Sequence, residues 1–371
     1  MSESIQNLFQ EFEASTKAQW LARVERDLKG KPLSELVFEK GPLSIFPFAH
    51  ADDFIGKNIE PIIGNATGNA WAIGENIDVI NPNYKEANKQ ALAALMGGAN
   101  ALFFNLDAYP ADSQFNTLLE NIEFEYIETH FNINSEDNNL LSFLENIKKN
   151  ILKKEKNAKI LRGSVSTNSK EVSKEVLLWI KENLPLFKII TIDGSVFHKG
   201  SEQVVEELTE ILLAGEKQLN YLKNNELDIN LFKNNIQFNI SIGISYFIEI
   251  AKIRALKLLW GNVLKGYEVT PILPNIQAKV SKQSFVPDAH KNKISVTTQA
   301  MSAVLAGVES LTIDPTEDSD FGKRISRNVQ HLLQLESYLD RVADPSAGSY
   351  YIEQLTNQIA EAVWQRFREN V

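Results

Sequence analysis

The sequence predicts an α/β protein, and within that class a (β/α)8 TIM barrel preceded by an N-terminal helical or extended arm. Short apolar runs rich in β-branched and aromatic residues alternate with amphipathic helical patterns, which is typical of βα units and a parallel sheet. The runs number eight, as such a barrel requires. The chain has 371 residues, more than one core usually organises unless the fold is a large barrel.

The eight predicted strands follow one another from residue 70 onwards. In chain order they are Ala70–Val79, Ala101–Leu106, Phe124–Phe131, Ala158–Val165, Phe187–Asp193, Ile236–Ile242, Val269–Ile276 and Ser310–Asp314. A doubly wound open sheet would give much the same local pattern. The strand count therefore favours the barrel without deciding between the two.

Helical periodicity fills the gaps between these strands. Tyr84–Met96 carries Ala and Leu on one face and ends at Gly97-Gly98, a typical C-cap. Ser201–Leu222 has its acidic residues early, where the helix dipole favours them. The other predicted helices are Ser245–Leu264, Ser295–Leu305, Phe321–Leu333 and a final helix that begins at Thr356 and covers Asn357–Asn370.

The first 60 residues do not follow the βα rhythm. Leu8–Leu28 is predicted as an amphipathic helix with Trp20 on its apolar side, and an irregular stretch follows through Phe46-Pro47-Phe48. We therefore divide the chain into an arm for subunit contact, residues 1–60, and a barrel domain with C-terminal helices, residues 61–371.

Composition narrows the classes of function. The formal net charge of −10 disfavours nucleic acid and anionic membrane surfaces as partners. No apolar run approaches the roughly 20 residues that span a bilayer, and the polar start is not a secretory signal. Cysteine is absent, which excludes disulfides and thiolate metal sites and fits a reducing cytoplasm. We expect a cytoplasmic protein without a resident metal.

A thirteen-residue segment near the C-terminus carries a specific resemblance. Asp344-Pro-Ser-Ala-Gly-Ser-Tyr-Tyr-Ile-Glu-Gln-Leu-Thr356 closely resembles the D-P-x-A-G-S-Y-Y-[VI]-E-x-L-T signature of the methylmalonyl-CoA mutase family. Two further segments resemble family helices in the expected order: Tyr246–Ala255, ending near Trp260, and Phe321–Gln330. The resemblance implies a barrel whose axis is threaded by coenzyme A. In catalytic members a cobalamin-binding domain follows it.

The loop that carries the catalytic pair in this family is altered here. Catalytic members resemble one another in a G-Y-H-[MI]-Q-E-A-G loop, whereas this chain has Gly194-Ser-Val-Phe197-His198-Lys-Gly200. The tyrosine is replaced and the Gln-Glu pair is missing. We therefore predict no catalytic residue. His198 is the one candidate proton donor left in this loop, and no acidic residue is expected to orient it.

The resemblance implies that other family motifs are also changed, including those that reach coenzyme A and the one that approaches the adenosyl ribose. The corresponding segments are Asn235–Ile240, Pro274–Lys282, Asn65–Asn69 and Thr312–Thr316. The arginines and the histidine of the family pattern are gone. Because a phosphorylated carrier and a carboxylate need guanidinium groups along their path, we expect no cofactor-binding residue in this chain.

Cobalamin ligation in the family uses Asp-x-His-x-x-Gly. The only similar stretch, Asp288-Ala-His290, lacks the glycine and lies within the barrel, so it is interpreted as coincidental. We expect no cobalamin-binding domain in this chain. Glu249, Lys252 and Arg254 are interpreted as structural or inter-subunit ion-pairing groups in preference to ligand contacts.

Three functions are consistent with this pattern. The first is the small, catalytically degenerate subunit of a heterodimeric methylmalonyl-CoA mutase of propionate metabolism. This chain would be inactive alone and would stabilise a homologous large subunit that binds adenosylcobalamin. The second is the catalytic barrel chain of an acyl-CoA mutase whose cobalamin domain is a separate polypeptide. The third is a binding module that delivers or protects the mutase.

Overall fold

The computed structural model describes residues 15–56, 60–62, 68–135, 139–153, 157–168, 171–283 and 285–371. The strands are β1 Phe38–Lys40, β2 Leu43–Ile45, β3 Ala72–Val79, β4 Ala101–Leu106, β5 Glu128–Ile133, β6 Arg162–Thr167, β7 Phe187–Lys188, β8 Ile190–Asp193, β9 Ile236–Ile242, β10 Asn275–Val280 and β11 Ser310–Thr312. The helices are α1 Lys17–Asp27, α2 Tyr84–Met96, α3 Asp112–Leu118, α4 Leu140–Lys153, α5 Lys174–Asn183, α6 Val204–Asn224, α7 Ile229–Phe232, α8 Tyr246–Gly266, α9 Ala289–Leu305, α10 Asp320–His331 and α11 Tyr350–Arg368.

The main sheet is parallel and closes on itself. Its hydrogen-bonded order is β7-β6-β5-β4-β3-β11-β10-β9-β8. Its two ends, β7 and β8, are consecutive in the chain and are separated only by Ile189, whose amide donates to the carbonyl of Asn235 at 3.0 Å. When β7 and β8 are counted as one interrupted strand, the sheet is a closed cylinder of eight strands. The predicted (β/α)8 barrel is confirmed.

The two faces of the barrel strands differ sharply in chemistry. Side chains that point outwards are apolar and fully buried beneath the helices, as Leu102, Phe104 and Leu106 are on β4. Phe238 of β9 packs edge-on against Trp260 of α8, with ring centroids 4.9 Å apart. Side chains that point inwards are mostly polar, although bulky aliphatic residues usually fill the interior of this fold. The apolar core therefore lies between strands and helices, outside the lumen.

Several predicted boundaries are confirmed and several are wrong. β4, β9 and α2 have the predicted bounds. β5 and β10 begin four and six residues later than predicted, and Ala158–Ile160 is a 3-10 turn that precedes β6. The last helix begins at Tyr350, six residues before the predicted start, so the aromatic pair of the signature lies in its first turn. A π-helical turn, Leu332–Glu336, extends α10.

The described part of the N-terminal segment lies against the chain's own barrel. Within the predicted helix Leu8–Leu28, α1 begins after Thr16, which forms a capping box with Gln19; residues 8–14 fall outside the described residues. Trp20 stacks on Phe48 at 4.3 Å. The β1–β2 hairpin is held near the start of α6 by an ion pair of 3.0 Å between Lys40 and Glu202. The assignment of residues 1–60 to subunit contact stays a prediction.

No helix in the described ranges is both long enough and apolar enough to cross a lipid bilayer.

Candidate functional site

A cavity of about 470 Å³ opens at the carboxyl ends of the barrel strands. Parallel strands direct their last inward side chains to this end, where barrel proteins usually place their sites. Polar residues from every barrel strand line it: Asn76, Asn105, Asn132, Ser166, Thr191, Asp193, Asn239, Gln277, Lys279 and Thr312. The cavity is the candidate functional site.

A chain of hydrogen bonds runs round one side of this cavity. Asn105 Nδ2 donates to Asp78 Oδ1 at 2.8 Å, and Asn132 Nδ2 donates to Asn105 Oδ1 at 2.9 Å. Ser166 Oγ then donates to Asn132 Oδ1 at 2.7 Å. The strand register places these residues directly opposite one another on β3, β4, β5 and β6. The amides are therefore fixed in orientation by their neighbours.

The positive charges near the mouth are already paired. Lys279 and Lys282 lie 3.0 and 3.2 Å from Asp314 Oδ2, and Asn76 donates to the other oxygen at 2.7 Å. Burial opposes ionisation of Asp314, but Lys279 outweighs it with the help of Asn76 and Lys282, so the pKa of Asp314 is lowered. The two lysines therefore share one carboxylate, which offsets one of their two charges and holds both ammonium groups at Asp314.

Side chains from opposite strands close the floor of the cavity. Gln277 Nε2 lies 2.8 Å from His130 Nδ1, and Ser164 Oγ lies 2.9 Å from the same nitrogen. His130 is on β5 and Gln277 is on β10, the third and seventh of the eight strands counted from β3, so their contact crosses the lumen. Phe103 stacks on the His130 ring at 4.2 Å. The barrel axis is thus blocked just below the mouth.

Below this floor, Glu128 faces the other nitrogen of the His130 ring. Glu128 Oε2 lies 3.5 Å from His130 Nε2. Burial raises the pKa of Glu128, but His130, Arg162 and Lys188 act in the opposite direction and lower it overall. Glu128 is therefore held among basic side chains below the floor.

His198, the candidate from the altered loop, is buried outside the cavity lining. Its Nδ1 lies 2.9 Å from Glu207 Oε2 on α6. The expectation that no acidic residue orients this histidine is therefore wrong. Its backbone carbonyl accepts from Gln283 Nε2 at 2.7 Å, which joins the loop after β8 to the loop after β10. His198 does not line the open cavity. Its contacts connect its own loop to α6 and to the loop after β10, which is a structural role.

Glu207 belongs to a buried cluster of charges. Lys252, fully buried on α8, lies 3.0 Å from Glu207 and 2.7 Å from Glu249, and it donates to the carbonyl of Ser241 at 2.8 Å. Burial raises the pKa of Glu207, but Lys252 and His198 outweigh burial and lower it. For Lys252, burial lowers the pKa, and the two carboxylates raise it above its ordinary value. The cluster holds α6 and α8 together.

The signature segment has a structural task. Arg254 of α8 binds Asp344 and, at 2.7 Å, Glu353 Oε1. The amide of Gly348 donates to the same Glu353 oxygen at 3.0 Å. Both acidic residues of the signature are thus engaged by one buried guanidinium. The interpretation of Glu249, Lys252 and Arg254 as ion-pairing groups is supported, and the pairs lie within this chain.

Three of the remaining predicted segments, Asn235–Ile240, Pro274–Lys282 and Thr312–Thr316, each place a side chain in the cavity lining. Other predicted positions have local structural contacts. Asn235 Nδ2 donates to the carbonyl of Phe187 at 2.7 Å at the amino end of β9. Asp288 caps α9 by accepting from the amide of His290 at 2.9 Å, so its carboxylate is used locally. Positions 65–67 of the Asn65–Asn69 segment fall outside the described residues. No group of three or more His, Asp or Glu suited to a metal occurs in the described ranges.

A family model described as methylmalonyl-CoA mutase matches residues 111–370. The chain belongs to the methylmalonyl-CoA mutase family. It is 31% identical to the methylmalonyl-CoA mutase small subunit of Porphyromonas gingivalis, over 99% of this chain and 64% of that protein. It is 30% identical to the methylmalonyl-CoA mutase of Rhizobium meliloti, over 54% of this chain and 30% of that one. The large subunit of P. gingivalis is 28% identical, over 54% of this chain and 29% of its own length. The chain thus spans less than two thirds of each relative.

Methylmalonyl-CoA mutases depend on cobalamin and act on a coenzyme A ester, and the residues that the structure describes do not fit either group. Coenzyme A would have to pass through a lumen that Gln277 and His130 bridge and that Phe103 narrows. A cobalamin ligand would need a free Asp-His pair, whereas Asp288 is held as a helix cap. No step of the mutase reaction is therefore derived from these residues.

Proposed function

We propose that this chain is the small, non-catalytic subunit of a heterodimeric adenosylcobalamin-dependent methylmalonyl-CoA mutase. The partner would be a homologous large subunit that binds adenosylcobalamin and interconverts methylmalonyl-CoA and succinyl-CoA. The role of this chain would be to stabilise that subunit.

The blocked barrel axis carries the proposal. The bridge from Gln277 to His130 joins opposite strands at 2.8 Å, and both side chains are more than nine-tenths buried. Opening it would require breaking that bond and moving the Phe103 ring that stacks on His130. A chain that admits no coenzyme A along its axis lacks the binding mode that the family resemblance implies.

The extent of similarity points the same way. The likeness to a protein named as a small subunit runs along 99% of this chain, whereas the likeness to the large subunit of the same bacterium covers 54%. Residues at the N-terminus are thus matched in the small subunit. This favours the subunit role over the catalytic alternative, for which no feature of the lumen offers support.

The arm offers a surface for the partner. None of the residues of α1 is buried, although Trp20, Leu21 and Val24 form an apolar stripe on it. Phe38 and Ile55 are 63% and 79% exposed. Exposed apolar side chains clustered on one segment are typical of a protein contact. We infer that residues 15–56 contribute to the contact with the large subunit.

Affinity purification of the tagged chain from its native host, followed by mass spectrometry, tests the proposal. Stoichiometric recovery of a larger homologous chain with an Asp-x-His-x-x-Gly motif is the expected result. Recovery of only a small cobalamin-binding protein would instead indicate that this barrel performs the chemistry. Substoichiometric recovery of a mutase would favour a delivery or protection role.

Calorimetric titration of the purified chain provides an independent measurement. We expect no heat of binding from methylmalonyl-CoA or succinyl-CoA up to about 100 μM, which would place any dissociation constant above the micromolar range. The reconstituted two-chain complex serves as the positive control. A micromolar acyl-CoA site on this chain alone would refute the blocked-axis argument.

A further inference from the structure

We propose that the cavity at the barrel mouth binds a neutral polyhydroxylated molecule of about the size of a monosaccharide. The cavity of about 470 Å³ lies within the roughly 300–1,000 Å³ of small-molecule sites. It lies above the blocked axis and is independent of the proposed subunit role.

The first argument is the hydrogen-bonding capacity of the lining. Four of the barrel strands each place an asparagine amide in the cavity lining: Asn76, Asn105, Asn132 and Asn239. Each amide both donates and accepts, as a hydroxyl group does. The bonds among Asn105, Asn132 and Ser166 use only part of this capacity and hold the groups in position. A ring of fixed amides therefore complements several hydroxyl groups on one molecule.

The second argument is an acceptor that needs a donor. Asn239 Oδ1 is buried at the cavity and has no hydrogen-bond partner among the residues that the structure describes. A buried carbonyl oxygen without a partner is costly, and the Asn239 side chain that carries it lines the cavity. A small rotation of this amide would bring the oxygen to a donor in the cavity. A sugar hydroxyl provides such a donor.

The third argument is charge. Asp107 and Asp193 line the cavity, whereas Lys279, the one cation among the described lining residues, is paired with Asp314 at 3.0 Å. The lining is therefore neutral to negative. Phosphate and carboxylate groups would lose hydration there without gaining an unpaired cation. This excludes acidic sugars and favours their neutral counterparts.

The fourth argument is the apolar floor. Phe103 lines the cavity and is held flat against His130, with an angle of 13° between the rings. A monosaccharide has an apolar face of C–H groups and a rim of hydroxyls. An aromatic floor beneath a ring of amides matches that distribution.

Saturation-transfer-difference NMR on the full chain tests the proposal with D-glucose, D-ribose and myo-inositol as probes, and with D-glucuronate as the charged counterpart of glucose. We expect at least one neutral probe to bind saturably with a dissociation constant of about 10 mM or tighter. D-glucuronate is expected to bind at least about tenfold more weakly than D-glucose.

Variants localise the binding. Asn239→Leu removes the unpartnered acceptor while keeping the number and branching of the side-chain heavy atoms, and it should weaken binding about tenfold. Ser166→Ala, a milder change that keeps the proposal testable if Asn239→Leu fails to fold, should weaken it a few-fold. Asn230→Ala on α7, which does not line the cavity, should leave binding unchanged.

Three outcomes would overturn the proposal and mean that the cavity holds only water. They are no saturable binding by any of the three neutral probes, tighter binding of D-glucuronate than of D-glucose, and unchanged binding in both cavity variants.

Discussion

Replacing Lys252 with methionine tests whether the buried cluster holds the barrel together. Lys252 has no exposed surface and lies within 3.0 Å of both Glu207 and Glu249. Methionine fills a similar volume but carries no charge. The variant therefore leaves two buried carboxylates without their shared cation. Removing one partner of a buried ion pair costs about 3–5 kcal/mol of unfolding free energy.

The effect of pH follows from the pKa of Glu207. Burial raises this pKa, but Lys252 and His198 outweigh burial, so it lies below its unfolded value. A carboxyl group of this kind stabilises the fold above its unfolded pKa, and that contribution is lost as the pH falls through the lower folded pKa. Without Lys252, burial should raise the pKa of Glu207, so protonation on mild acidification would stabilise the variant. The variant's deficit should therefore be largest near pH 7.5 and smaller near pH 5.

Thermal and urea unfolding at both pH values measure these effects. A loss of about 3–5 kcal/mol corresponds to a midpoint lowered by about 4–6 °C in a chain of 371 residues. Lys265→Met is the matched control, because Lys265 is exposed on the same helix and should leave the midpoint within about 2 °C. A Lys252→Met midpoint equal to that of the control, or a deficit that grows on acidification, would refute the reasoning.

Three further substitutions probe other contacts. His198→Leu should lower the unfolding free energy by about 1–3 kcal/mol because it leaves a buried oxygen of Glu207 without a partner. In urea unfolding, His198→Gln should recover part of this loss. An unfolding free energy unchanged in His198→Leu would contradict the assigned contact. Arg254→Met should cost about 3–5 kcal/mol by the same assay, since two acidic groups lose their guanidinium; a loss below 1 kcal/mol would mean that the signature is held by its turn alone. Gly163→Ala would place a Cβ in severe overlap with the carbonyl oxygen of Thr129, so we expect a cost above about 4 kcal/mol or insoluble protein. Gly266→Ala, with open space around its Cβ, is the control for that variant, and equal expression of the two would show that the strands can separate at Gly163.

The sequence predicted the barrel because its outward-facing residues follow a strict pattern. β4 and β9 carry apolar side chains at alternate positions against the helices, and both were bounded correctly. Predicted strands failed where apolar residues are buried outside strands. Phe124 and Ile127 are buried in the turn before β5, and Val269 is buried just after α8. At these places, apolar residues that are buried outside strands gave the same apolar run in the sequence as a strand would.

The candidate site was less predictable because it depends on contacts across the barrel. Gln277 and His130 are 147 residues apart, and only closure of the sheet brings them together. The partner of His198 was missed for a related reason. Glu207 lies nine residues further on, beyond the 3-10 turn Ser201–Gln203, so no helical spacing indicated the contact. The asparagines lie one per strand and form no local motif, although their positions at strand ends could have indicated a polar mouth.

The binding of Arg254 to Asp344 and Glu353 affects how mutase chains are recognised. Both acidic residues of the signature are engaged inside the protein, so neither is available to touch a substrate. A chain can lose its reaction and still require this segment in order to fold. The signature therefore identifies ancestry and architecture, whereas the residues across the barrel axis are the ones to inspect when sorting active mutase chains from inactive ones.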